Sequence, residues 1–72
     1  MPPDRGRVPP SQRVETALRA RVTAGEWASG ERLPPVAELA AQYGVARSTV
    51  IAALRRMDDL VEIVPNWGTF RR

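Results

Sequence analysis

Leu39-Ala40-Ala41-Gln42-Tyr43-Gly44-Val45-Ala46-Arg47-Ser48-Thr49-Val50-Ile51-Ala52-Ala53-Leu54 is the stretch that decides the fold of this 72-residue chain. It divides at Gly44. Before the glycine, Leu39, Ala40 and Tyr43 share one face at helical spacing. After it, Val50, Ala53, Leu54 and Met57 fall within a stripe about 100° wide, the signature of a helix with one buried side. Gly44 supplies the left-handed residue that closes the first helix, and only Val45 and Ala46 separate it from the second. The outward face of that second helix carries Ser48, Ile51, Ala52 and Arg55, with Arg47 and Arg56 on its flanks. Two helices joined across a glycine turn, the second presenting small, polar and cationic groups, make a helix-turn-helix.

Working outward, Val14, Ala17, Leu18 and Val22 follow the i, i+3, i+4, i+8 spacing of one stripe and predict a helix over 11–24, ended by Gly25. Residues 26–35 are turn-rich, with Trp27 and Leu33 as core anchors, and Pro34-Pro35 leads into the helix over 36–42. The third helix is expected over 47–58. After Asp59 the period changes from helical to alternating. Leu60-Val61-Glu62-Ile63-Val64 is β-branched, Pro65-Asn66 breaks it, and Trp67-Gly68-Thr69-Phe70 resumes extended structure. Asn66 suits a tight turn because it tolerates positive φ. The reading is an α+β winged helix-turn-helix, three helices followed by a β-hairpin over 60–71, in one domain spanning 11–72. Leu18, Leu39, Val50, Leu54 and Ile63 are its expected core. Residues 1–10 hold four of the seven prolines plus Gly6 and read as a flexible N-terminal arm.

Composition removes several function classes. Cysteine and histidine are absent, which excludes disulfides, thiolate metal sites and the commonest general base. Serines, threonines and carboxylates are too scattered to form a catalytic set, and no phosphate-cradling glycine loop occurs, so neither enzyme activity, metal nor cofactor is expected. No apolar run approaches the roughly 18 residues that span a bilayer, and a cytoplasmic location is expected. All eleven basic residues are arginine, for a net charge of +3. They concentrate at the two ends of the sequence, around a nearly neutral middle.

A major groove about 12 Å wide admits one helix if its outward face lacks bulky or acidic groups. Ser48, Thr49 and Ala52 are small enough for close approach. Arg47 can reach a phosphate or a guanine edge, and Arg55 extends the same face. The hairpin is the wing, and Arg71 and Arg72 at the end of its second strand can reach backbone phosphates or the minor groove. Each has a plainer reading. Arg47 can be a solvated helix-end charge, and Arg55 and Arg56 can pair with Asp58, Asp59 or Glu62. Trp27 reads as core, whereas Trp67 at the wing tip is either an exposed anchor or a core cover. Ile51 can meet a thymine methyl or mark a protein contact.

Ala17-Leu18-Arg19-Ala20-Arg21-Val22, Gly25 and Gly30, Arg32-Leu33-Pro34, Glu38-Leu39-Ala40, Tyr43-Gly44-Val45-Ala46-Arg47-Ser48-Thr49-Val50, Ala53-Leu54 and Gly68-Thr69-Phe70 occur in this order. In this respect the chain resembles the winged-helix domain of the GntR family of bacterial transcription regulators, over residues 11–70. The resemblance implies sequence-specific operator binding, with the third helix in the major groove and the wing over the minor groove. Arg47, Ser48 and Thr49 match the family's DNA-contacting positions and Gly68 its wing glycine. The chain departs from the pattern at Ala37 and Ile51, where the family carries basic residues, and at Ala46, where it carries a capping serine or threonine. The family's C-terminal effector and dimerisation domain has no counterpart in the sequence.

The expected function is therefore transcriptional regulation, as a repressor, by a stand-alone or excised domain. Its partner is duplex DNA, met by one copy or by a homodimer, and no small-molecule ligand is expected. Two rivals stand beside it: an excisionase-like DNA-bending accessory factor, and a winged helix repurposed for protein binding.

Overall fold

The computed structural model describes residues 8–72, so the N-terminal arm read over 1–10 lies largely outside the described residues. Three helices, α1 (Pro10–Thr23), α2 (Val36–Tyr43) and α3 (Arg47–Arg55), precede strands β1 (Val61–Val64) and β2 (Gly68–Arg71). The order is the one expected. Pro10 opens α1 because a first-turn residue needs no N–H partner and its φ is already helical. Gly44 closes α2 in the left-handed conformation, φ 65° and ψ 38°. Asn66, at φ 69°, carries the left-handed turn between the strands.

α3 packs against both α1 and α2. The core between them is built from Val14, Leu18 and Val22 of α1, Leu39 and Ala40 of α2, and Val50, Ala53 and Leu54 of α3, closed by Trp27, Leu33, Met57 and Val61. Trp27 is a core residue, as its setting suggests, and Arg21 lies over its ring at 4.7 Å from the centroid.

Two expectations are corrected. α3 ends at Arg55, three residues short of the expected 47–58. Beyond it the chain tightens into turns, with Arg56 N–H donating to Ala53, Met57 N–H to Leu54 and Leu60 N–H to Met57. These i to i−3 bonds keep Met57 on the buried side although it is no longer helical. Ile63 is not core but 45% exposed, and Val61, two residues earlier on the same face of the strand, is buried in its place. Only the base of the hairpin reaches α3; by Ile63 the strand has run past the helical layer.

β1 and β2 pair antiparallel, Val61 opposite Arg71 and Val64 opposite Gly68. The free side of β2 is also occupied. Gly30 N–H donates to the Arg71 carbonyl, Arg71 N–H to Glu31 and Leu33 N–H to Thr69, with a bridge between Arg32 and Phe70. β2 is thus the middle of three strand-like segments, which explains why Thr69 is buried while Ile63, opposite it, is not.

Three substitutions check this arrangement in urea melts. Leu54→Ala should lose about 2–5 kcal/mol, as expected for a fully buried leucine, whereas Ile63→Thr should stay within about 0.5 kcal/mol. At the start of α3, Ala46 forms no side-chain cap, so Ala46→Ser should gain about 1 kcal/mol.

Candidate nucleic-acid interface

α3 stands on α1 and α2 with one side facing away from both. At about 100° per residue, Ile51, Arg55 and Ser48 occupy the middle of that outward arc, with Arg47 and Ala52 at its edges. Arg47, Ser48, Ile51 and Arg55 are exposed, and Thr49 and Ala52 are half-buried where the helix curves back to its neighbours. No acidic residue occurs in α3. Among the described residues, Arg47 and Arg55 make no hydrogen bond or ion pair, so both guanidinium groups are free for an external acceptor. The missing cap at Ala46 adds to this. Its backbone carbonyl accepts from Thr49 and Val50, while the first N–H groups of α3 point outward at the positive end of the helix dipole.

Arginines on the other side of α3 are committed elsewhere. Arg19 of α1 donates to both carboxylate oxygens of Asp59, at 2.9 and 3.0 Å, to Glu15 at 2.9 Å, and to the Arg56 carbonyl at 2.8 Å. It thereby caps the C-terminal end of α3 and holds the turn from which the hairpin departs. Its hydrogen bonds hold the Asp59 carboxyl below the usual carboxylate range and raise Arg19 in return. Arg56 turns to Ser11 and, at 3.9 Å, to Glu15. It pairs with none of Asp58, Asp59 or Glu62, because the early end of α3 carries it toward α1. Arg21 binds Glu26 and the Tyr43 hydroxyl, tying α1 to α2 and drawing Glu26 down in pKa.

The hairpin tip carries Trp67, which is 70% exposed, and Gly68, at φ +127°. A Cβ on Gly68 would come within 2.6 Å of Arg32 Nε. Glycine is favoured here by the positive φ, which side-chain-bearing residues rarely adopt, and the Arg32 side chain lies against the same spot. Arg32 is the residue that the sequence reading leaves out of the site: thirty-six positions separate it from Gly68, and only the pairing of residues 30–33 with β2 brings them together.

Arg71 and Arg72 lie at the opposite end of the hairpin from Trp67. Arg71 is half-buried, its Nε without a hydrogen-bond partner, and its Nη1 donates to the Arg72 carbonyl at 2.6 Å. Arg72 Nε donates to the Asp58 carbonyl and its Nη1 stands 4.0 Å from Glu62. The structure thus gathers Arg47, Ser48, Ile51, Ala52 and Arg55 on one face and Trp67 with Gly68 at the tip, and it sets Arg71 and Arg72 at the far end of the hairpin, where Arg72 meets the turn after α3.

Three helices with a glycine-turned α2–α3 pair, followed by an antiparallel hairpin, define a winged helix-turn-helix domain. Residues 10–70 match the bacterial regulatory proteins of the gntR family. The chain belongs to that family. It is 36% identical over 61 residues to the histidine utilization repressor of Klebsiella aerogenes, covering 82% of this chain and 25% of that protein. It is 41% identical over 59 residues to the HTH-type transcriptional regulator Rv1152 of Mycobacterium tuberculosis, covering 79% of this chain and 49% of that one. The chain therefore spans about a quarter and about half of these two relatives. Among solved structures, AraR(DBD) in complex with operator ORE1 matches with TM-score 0.86 and 25% identity, over 90% of this chain and 82% of that one. AraR(DBD) with operator ORX1 shares the fold at TM-score 0.88 and 24% identity, over 100% of this chain and 89% of that one. Among the described residues, no helix is long and apolar enough to cross a membrane.

The ion pairs of Arg19 with Asp59 and of Arg21 with Glu26 give a pH prediction. Asp59 and Glu26 ionise more readily in the folded state, so their contribution is present above the ordinary carboxylate range and is lost as pH falls through it. With no histidine in the sequence, the thermal midpoint should be flat between about pH 6 and 8 and fall below about pH 4. Asp59→Asn should lower the midpoint at neutral pH and shrink the acid drop; an unchanged acid drop would remove Asp59 from the account.

Proposed function

We propose that this chain binds duplex DNA sequence-specifically as the recognition domain of a cytoplasmic transcription regulator that acts as a repressor. α3 lies in the major groove and the hairpin rests on the adjacent minor groove. The observation that carries this reading is the outward face of α3: small side chains, two unpaired guanidinium groups and no acid. Its likeness to a domain solved on operator DNA, and to a named repressor, supports the same conclusion.

Arg47 and Arg55 reach guanine edges or phosphates, Ser48 and Thr49 bond phosphate or base, and Ala52 permits close approach. Ile51, in mid-face, meets a thymine methyl. Nothing in this set performs covalent chemistry, and binding is its whole activity. Duplex DNA is the partner, met by one copy or by two on a palindromic site.

Selection from a random duplex pool, followed by titrations at several salt concentrations, tests the reading. Arg47→Ala should weaken binding to the selected sequence by about 1–3 kcal/mol, with less effect on unrelated duplexes. Replacing Arg71 and Arg72 together by alanine should weaken all sequences alike, flattening the salt dependence by about one unit for each phosphate no longer neutralised. An unchanged slope would confine them to bracing the wing base. If no duplex is preferred over binding by an unrelated protein of equal charge, the DNA reading fails and the protein-binding rival replaces it.

A further inference from the structure

The tip of the hairpin has an unusual composition for a surface that approaches a polyanion. Residues 64–69, Val-Pro-Asn-Trp-Gly-Thr, carry no charge, and Trp67 is the most exposed large apolar side chain among the described residues. The tip is a tight, hydrogen-bonded turn. Asn66 and Gly68 hold positive φ on either side of Trp67, whose N–H is bonded to the Val64 carbonyl at 3.0 Å. A cation is present, but it comes from elsewhere: Arg32 reaches across the chain and lies against Gly68, the residue next to Trp67. Arg32 is exposed and, among the described residues, has no acidic partner.

An indole on a fixed turn with a guanidinium beside it suits a nucleic acid, offering a flat ring to a base and a charge to a phosphate. A second copy of the chain is a poorer fit, because one projecting residue falls far short of the roughly 800 Å² per partner of a stable interface. The minor groove, about 6 Å wide, is too narrow for a two-stranded ribbon to enter unless the groove opens. Apolar side chains open it by sliding between base pairs, most cheaply at TA or CA/TG steps.

We infer that Trp67 is a minor-groove wedge that partly unstacks one base step and bends the bound duplex, with Arg32 fixing the neighbouring phosphate. The proposal rests on the DNA-binding reading above and adds to it a deformation that α3 does not require. It also places a flexible pyrimidine–purine step under the wing, at a position the recognition helix does not read.

The experiment compares wild type, Trp67→Phe, Trp67→Ala and Arg47→Ala on the duplex selected by the wild-type chain. Affinity, tryptophan emission and end-to-end energy transfer in a doubly labelled duplex are measured. Because Trp67 is exposed, both of its variants should melt like wild type, which separates binding from folding. Expected are quenching of wild-type emission on DNA, a bend retained by Trp67→Phe, and a bend lost by Trp67→Ala with an affinity loss of about 10-fold or more. The quenching should be missing in Trp67→Ala, where buried Trp27 is the remaining reporter. Tight wild-type binding with an equal bend in Trp67→Ala, or with a straight duplex in both, would overturn the wedge and leave the DNA reading standing. Loss of sequence preference in Arg47→Ala with the bend intact would support both. Failure of the wild type to bind any duplex would overturn both together.

Discussion

Everything on the working side of the molecule depends on β2 having a backbone partner on each edge. A two-stranded hairpin alone is marginal in water, and β1 supplies only one of the ladders. The bonds from residues 30–33 supply the other. They also fasten the hairpin to the segment that leads into α2, so the wing is fixed relative to the helix pair rather than hinged at the turn after α3. Arg19 adds a second fastening, from α1 to the end of α3 and to Asp59. Recognition by a helix and a wing together requires them to keep a set spacing, and these two ties provide it.

The arginines divide by what surrounds them. Three of those around the helical core are matched to carboxylates, carbonyls or an aromatic face: Arg19 with Asp59 and Glu15, Arg21 with Glu26 and Trp27, and Arg56 with Glu15. Arg47 and Arg55 on α3 and Arg32 beside the wing have no such match among the described residues, whereas Arg72 at the wing base bonds the Asp58 carbonyl and faces Glu62. Individually the surface pairs contribute little to stability. Collectively they neutralise charge between the helices, while the guanidinium groups of Arg47 and Arg55 on the outward face of α3 stay unbalanced among the described residues.

The helices and hairpin are legible in the sequence because each carries a strong local signal: stripes at Val14–Val22 and Val50–Met57, glycines at 25 and 44, and the switch to alternation after Asp59. The end of α3 is harder. Met57 continues the apolar stripe yet sits in a turn, since a 3₁₀ turn can bury the same residue that a further helical turn would. Ile63 misleads for a related reason. Alternation says which residues share a strand face, but not how far along the strand the core extends. Of the site, the α3 face is readable from periodicity. Arg32 is not, because its place beside Gly68 follows from a pairing between segments far apart in sequence. The partners of Arg56 and Arg72 are hidden in the same way, by where the turn after Arg55 sends the chain.

Among the described residues β1 has a partner on one edge only, which leaves its outer edge as an unfilled rung. Such edges invite pairing with another chain. Here the strand is four residues long, Glu62 places a carboxylate within it, and Pro65 follows immediately with no N–H to offer. A second hairpin aligned along it would bring two Glu62 carboxylates onto one short ribbon and run out of donors at the proline. Pairing of this edge with another strand is thus disfavoured, and the exposed Ile63 beside it is the less of a hazard.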